Sequence, residues 1–223
     1  MSSIDKQQQA HLQAILHPAQ MGLLVIDLQN DFLSLDGKTA HWHQDLASMQ
    51  AILPKVTTLI DIFRELQRPI IWTKDHEDPE FRTAAGLDRF LWFEQNDLKN
   101  VACLKGSPGA DFWLQPNSED HIIEKTRTSA YVGTNLKDTI AAENIKTLVV
   151  VGVKTQRCVA RTVHDLYDNE PDLHVVVLED CVASDDLQQH KTALTELKQF
   201  YPPVISSQTL IDSLELSAAA NSQ

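Results

Sequence analysis

Apolar residues in this chain fall into two kinds of run. Short, continuous, β-branched runs read as strands covered on both faces, and longer stretches with an apolar residue every three or four positions read as helices packed on one side. Leu23-Leu24-Val25-Ile26 is the first strand and ends in Asp27; Gln29-Asn30-Asp31-Phe32, with Gly37 beyond it, reads as a polar loop. Pro69-Ile70-Ile71-Trp72-Thr73 is the second and ends at Asp75, and Ile122-Ile123 precedes Lys125 in a third. Thr147 to Val153, His174 to Leu178 and Val204 to Ser206 complete the set. Helices are predicted for Ile4 to Leu16, Leu46 to Leu66, Thr134 to Asn144, Gln156 to Tyr167, Asp186 to Phe200 and onward from Gln208. Strands that alternate with helices pair in parallel through right-handed crossovers, which predicts a three-layer α/β fold around a central, mostly parallel sheet.

Composition narrows the class. The 223 residues suit one domain with a sizeable core. We expect residues 1–20 to form a peripheral segment, 21–214 the domain and 215–223 a disordered tail. A formal charge of −12 with no basic stripe repels phosphate backbones, so nucleic acid is not an expected partner. No apolar run approaches the roughly 20 residues of a membrane span, and no basic-then-apolar leader opens the chain, so no membrane partner and a cytoplasmic location are expected. Cys103, Cys158 and Cys181 are an odd number without a CxxC pair, which indicates neither a disulfide framework nor a thiolate metal site.

Candidate chemistry gathers at the carboxyl ends of the strands, where ligands bind in such sheets. Cys158 follows the run Thr147 to Val153 directly, with Thr155 placed to cap the next helix, so the thiol falls on that helix's first turn. Unpaired N–H groups and the helix dipole there favour a thiolate and are expected to lower its pKa. A small packed cysteine is the alternative, and position alone leaves both open. Asp27 and Lys125 mark two further strand ends. A carboxylate, an ammonium and a thiol on one rim supply a base, a charge stabiliser and a nucleophile.

Three segments carry a resemblance. They are Leu24-Val25-Ile26-Asp27-Leu28-Gln29-Asn30-Asp31-Phe32, Lys125-Thr126-Arg127-Thr128-Ser129-Ala130-Tyr131, and Gly152-Val153-Lys154-Thr155-Gln156-Arg157-Cys158-Val159 with Thr162 and Asp165. In order and spacing they resemble the signature blocks of the isochorismatase-like cysteine hydrolases, over about Gly22 to Leu214. The resemblance implies a Rossmann-like sandwich, a homo-oligomer, and Asp27 as general base, Lys125 as its cationic partner and Cys158 as nucleophile. It also implies a cis peptide between Val153 and Lys154, with the backbone N–H groups of Lys154 and Cys158 serving an oxyanion.

Departures from the family pattern narrow the subfamily. Nicotinamidases resemble one another in an Asp-Trp-His segment and a further metal-binding His, whereas this chain has Asp75-His76-Glu77-Asp78 and Phe81. Only Thr126-Arg127-Thr128 separates Lys125 from Ser129, closer to isochorismatases and ureide hydrolases. True isochorismatases typically lack the cysteine. Cys158 therefore favours hydrolysis of a small amide, carbamoyl or ureide C–N bond through an acyl-thioester. The alternatives are a vinyl-ether hydrolase using Asp27, or a non-catalytic member acting as a binding module. No metal and no cofactor is expected: His41-Trp42-His43 lacks further ligands, and Asp75 to Asp78 reads as a solvated acidic loop. Cys103 and Cys181 are expected to pack as small apolar residues, and His164 to be structural. The long connection His76 to Asp120 reads as a lid. Phe32, Trp72, Tyr131 and Trp113 are the candidate walls of a small-molecule pocket, and Arg82, Arg89 and Arg127 are candidate contacts for a substrate carboxylate.

Overall fold

The computed structural model describes residues 3–42, 44–78, 101–201 and 203–220. Among them, β1 (Met21–Ile26), β2 (Ile70–Asp75), β3 (His121–Lys125), β4 (Thr147–Val153), β5 (His174–Ala183) and β6 (Val204–Ile205) form one sheet in the order β3-β2-β1-β4-β5-β6. Every pairing in it is parallel. β1 and β4 are buried along their whole length, as their unbroken apolar runs require. The edge strand β3 is covered on one face only: Ile123 and Lys125 point inward, while Ile122 is 48% exposed.

Two apolar layers flank the sheet. One joins Leu23 and Val25 to Val56, Leu59, Ile60 and Phe63 of the helix Leu53–Glu65. The other joins Leu24 and Ile26 to Leu136 and Ile140, and to Val163 and Leu166 of the helix Ala160–Asn169. Burial at this scale, about 25 cal/mol per Å² of apolar surface, is what holds the layers together.

Four local expectations change. The stretch Leu46 to Leu66 divides into helices Leu46–Gln50 and Leu53–Glu65, with Pro54 at the start of the second, where a missing N–H costs nothing. By length and composition alone residues 46–65 are apolar enough to span a bilayer, contrary to expectation. Their apolar side instead packs into the first layer, through Met49, Ile52 and Val56. The loop at Gln29 to Phe32 contains a helical turn, Asn30–Leu33. The last helix runs Ser207–Ala220, past Leu214, because Leu210 and Leu214 anchor it to the core and Ser-Ala-Ala-Ala continues it at little cost. The N-terminal segment is likewise tied in: Ile15 and Leu16 are core residues, and the Thr147 hydroxyl donates to the Ile15 carbonyl at 2.5 Å.

Candidate active site

At the carboxyl end of the sheet the central strands approach unusually closely. Gly152 pairs with Ile26, and a Cβ on Gly152 would collide with the Ile26 carbonyl oxygen, so only glycine fits there. Beyond Ile26 the chain turns sharply, with Asp27 in the left-handed region at φ 51°, a conformation that aspartate tolerates better than most residues. The Thr73 hydroxyl, on β2 beside Ile26, donates to Asp27 Oδ1 at 2.5 Å and accepts from the Asp27 N–H at 3.1 Å.

Lys125 comes from the end of β3 and reaches across to this carboxylate. Its Nζ lies 2.9 Å from Asp27 Oδ2, 3.2 Å from Asp75 Oδ1 and 3.5 Å from Cys158 Sγ, and donates to the Arg127 carbonyl at 3.2 Å. Asp27 is 0% and Lys125 1% exposed; Cys158, at 8%, is the member of the three nearest to solvent. The carboxylates of Asp27 and Asp75 and the thiol sulfur all lie within 4.8 Å of one another, a spacing that also suits a metal ion. The Lys125 ammonium lies within 3.5 Å of all three, so it supplies the positive charge that such a group of acids calls for. Asp75, expected to end the second strand and to open a solvated acidic loop, instead turns its carboxylate to Lys125 at the end of β2. The alternation of β2 was the available signal: Thr73 and Asp75 share one face and the register pairs Asp75 with Lys125.

The nucleophile turn departs from expectation. Lys154, not Thr155, is the residue preceding the helix, and residues Thr155–Val159 form a π-helical turn before the α-helix Ala160–Asn169 begins. Thr155 is already helical, and its hydroxyl bonds to His190 Nδ1 at 2.9 Å instead of capping. The Val153–Lys154 peptide is cis. Thr162 ties this turn to the lysine loop, donating to the Cys158 carbonyl at 2.6 Å and accepting from the Ala130 N–H at 2.9 Å.

The acidity of the thiol is the main correction. Burial pushes the Cys158 thiol up to about 12; Lys125 opposes this, while Asp27 and Asp75 add to it. The expected lowering by a helix terminus is overridden, because desolvation penalises the charged form and two carboxylates stand beside it. Burial also holds Asp27 above the usual carboxylate value, Lys125 opposing and Asp75 reinforcing. Burial alone would lower Lys125, but Asp27, Cys158 and Asp75 more than reverse this and hold its pKa well above the ordinary lysine value. These directions favour a thiol that keeps its proton and an ammonium that keeps its charge.

Labelling checks this directly. Cys103 and Cys181 are 0% exposed and belong to the core, as expected of packed cysteines. Iodoacetamide is expected to reach Cys158 first, but slowly at pH 7, the rate climbing about tenfold per pH unit as the thiolate fraction grows. Peptide mapping across pH reads the rates; fast labelling of Cys158 that is independent of pH above 7 would restore an acidic thiol.

Of the expected pocket walls, Trp72 is corrected. Strand alternation turns it away from Thr73 and Asp75 into the core, where it is 0% exposed, donates to Asp120 Oδ2 at 2.9 Å and meets Phe112 edge-on. Tyr131 donates its hydroxyl to Glu170 at 2.5 Å. Phe32 is 7% exposed with the Lys154 ammonium 5.4 Å above its ring, and Trp113 is 41% exposed. Arg127 is exposed, and His164 stacks on Tyr201 with ring centroids 4.4 Å apart. His43, Phe81, Arg82 and Arg89 lie outside the described residues.

Of the expected lid, His76 to Asp120, residues 76–78 and 101–120 are described, and the second stretch is fastened to the rim. Asn30 N–H and Trp113 N–H bond to the carbonyls of Asp111 and Leu28 at 2.9 and 2.8 Å, and Asp31 Oδ2 accepts from Cys103 N–H at 2.6 Å. Gln29 clamps both sides, donating to the Asp75 and Ala110 carbonyls at 2.7 and 2.8 Å and accepting from the Asp75 N–H at 2.9 Å. A segment bonded this densely is a wall and not a gate.

Comparison with known proteins agrees with this architecture. Residues 21–209 match the model of the isochorismatase domain. A ureidoacrylate amidohydrolase of Acinetobacter baylyi is 26% identical over 212 residues, covering 90% of this chain and 86% of that protein. A probable inactive nicotinamidase of Arabidopsis thaliana is 30% identical over 183 residues, covering 79% and 87%. The crystal structure of an isochorismatase-like hydrolase from Alkaliphilus metalliredigens superposes with a TM-score of 0.72 at 24% identity, covering 87% of this chain and 99% of that one. With the six-stranded parallel sheet and the domain match in agreement, the chain belongs to the isochorismatase domain family.

Proposed function

We propose that this protein is a cysteine hydrolase that opens the C–N bond of a small amide, carbamoyl or ureide substrate through an acyl-thioester on Cys158. The protein is a hydrolase of non-peptide C–N bonds, like the amidohydrolases it resembles. One observation carries the thioester reading: the Lys125 ammonium bridges a buried carboxylate at 2.9 Å and a thiol at 3.5 Å.

The steps follow from the charges. As sulfur attacks the carbonyl carbon, the thiol proton passes to Asp27, whose carboxylate lies within 4.8 Å of the sulfur. A thiol held near 12 does not ionise beforehand, so proton transfer and attack are coupled. Lys125 stays charged and stabilises negative charge wherever it sits on Asp27 or sulfur. The oxyanion is held by the backbone N–H groups of Lys154 and Cys158. Collapse breaks the C–N bond, and the leaving nitrogen takes the proton from Asp27. Water then gives a proton to Asp27 and attacks the thioester, and the departing sulfur recovers that proton.

The test is a panel of ureidoacrylate, other small ureides and amides, nicotinamide and isochorismate, read by release of ammonia or pyruvate. Ammonia from an amide or ureide is the expected result; pyruvate from isochorismate alone would replace this reading with vinyl-ether cleavage. The pH profile carries a sign. Asp27 must be ionised to act as base and its pKa is raised, so kcat/KM should climb with pH through a midpoint above 3.8. Once Asp27 is ionised the profile should stay level, since a thiol near 12 adds no second ionisation at about pH 8 to 9. A second rise near pH 8 to 9, where an ordinary thiol titrates, would contradict this assignment.

A further inference from the structure

A second buried ion pair lies behind the nucleophile turn and takes no part in the chemistry above. Lys154 and Asp185 have side chains only 6% and 7% exposed, and Lys154 Nζ lies 2.5 Å from Asp185 Oδ2. Charges this deep are unfavourable unless they are paired and hydrogen-bonded, and here both conditions are met. Asp185 Oδ1 accepts from Gln156 Nε2 at 3.3 Å and from Ser184 Oγ at 3.1 Å, and the Asp185 carbonyl accepts from Asp45 N–H at 3.2 Å. Lys154 also donates to Gln44 Oε1 at 3.5 Å. The residues preceding the thiol are thus held in series: Lys154 and Gln156 by Asp185, and Thr155 by His190 on the helix Leu187–Phe200.

We infer that Asp185 is a positioning residue, fixing Lys154 and Gln156 so that the turn presents its backbone N–H groups and the Cys158 sulfur to the same carbonyl. The turn needs such an outside brace, because Lys154 makes no side-chain cap to it. This inference rests on the thioester reading. Misplacing reacting groups by about 1 Å costs on the order of 10²-fold in rate, so the brace acts on turnover more than on binding.

The experiment compares Asp185→Asn, Lys154→Met and the double variant, with ureidoacrylate and the other panel amides as probes. Asp185→Asn is expected to lower kcat about ten- to a hundredfold while KM moves less than about threefold. Because Asp185→Asn leaves Lys154 buried without its charged partner, it will also lower the melting temperature. The double variant removes both charges, and it should regain most of that stability without regaining kcat. Alkylation of Cys158 by iodoacetamide passes through no oxyanion, so its rate should stay near wild type in all three. Recovery of kcat together with stability in the double variant would show a purely structural pair and overturn the inference. So would equal loss of alkylation and turnover, or kcat within about threefold of wild type in the folded single variant. Cys158→Ala, run alongside, separates the two levels. Turnover by that variant removes the thioester reading itself, whereas an inactive Cys158→Ala beside fully active Asp185 variants removes only the brace.

Discussion

Cys158→Ala and Asp27→Asn should each lose on the order of 10⁴-fold in turnover or more, because a nucleophile and its base act as one unit and the loss of either member is nearly as costly as the loss of both. The double variant should therefore be scarcely worse than either single one. Both substitutions are close in size to the residues they replace, so circular dichroism should keep the native fold. Cys158→Ala should melt near wild type, whereas Asp27→Asn, although its amide oxygen can still accept from the Thr73 hydroxyl, leaves Lys125 with Asp75 alone and should melt lower. The assay is release of ammonia from the responsive member of the panel, with single-turnover trapping of the acyl-enzyme. Near-wild-type activity in Cys158→Ala with an inactive Asp27→Asn would assign the chemistry to the carboxylate alone. Accumulation of acyl-enzyme in the wild type, and none in Cys158→Ala, is the outcome this site predicts.

Lys125→Met carries the largest expected effect on stability. The ammonium is fully buried and touches Asp27, Asp75 and the thiol, so removing it leaves the Asp27 carboxylate buried without its cation, which costs about 3–5 kcal/mol. The pH dependence follows from the same charges. Asp27 already has a pKa above its unfolded value, and losing Lys125, the influence that lowers it, raises it further. A carboxyl group whose folded pKa lies above its unfolded pKa favours the folded state when protonated, and that contribution is lost as pH rises through the folded value. Lys125→Met should therefore be most damaged at alkaline pH and should recover part of the deficit as pH falls toward 5. Urea denaturation of wild type and variant at pH 5 and pH 8 reads the difference. An equal deficit at both pH values would mean that Asp27 is not the group that Lys125 neutralises.

The strands and the three reactive residues were legible in the chain because each is a local matter. A run such as Thr147 to Val153, uncharged throughout and β-branched at most positions, has few options other than a strand covered on both sides, and β4 has those bounds. Asp27, Lys125 and Cys158 are polar residues at or just beyond the ends of such strands, and parallel pairing carries all such ends to one edge of the sheet. Gln29, Thr73 and Thr162 were not singled out for their roles here, since a hydroxyl or amide takes its function from a partner 32 to 81 residues away.

What only the tertiary structure decided is everything that depends on the field and the facing of distant groups. A helix start favours a thiolate, yet the same thiol enclosed by packed layers and set beside two carboxylates is pushed up to about 12. Trp72 reads as a pocket wall until strand register turns it into the core, and that same register delivers Asp75 to Lys125. Lys154 and Asp185 become a buried pair only when β5 brings residue 185 beside the end of β4. Hydrophobic periodicity is a property of neighbours along the chain and so determines the layers. Desolvation, Coulomb interactions and hydrogen bonds sum over groups brought together through space, and they determine which of those groups holds a proton.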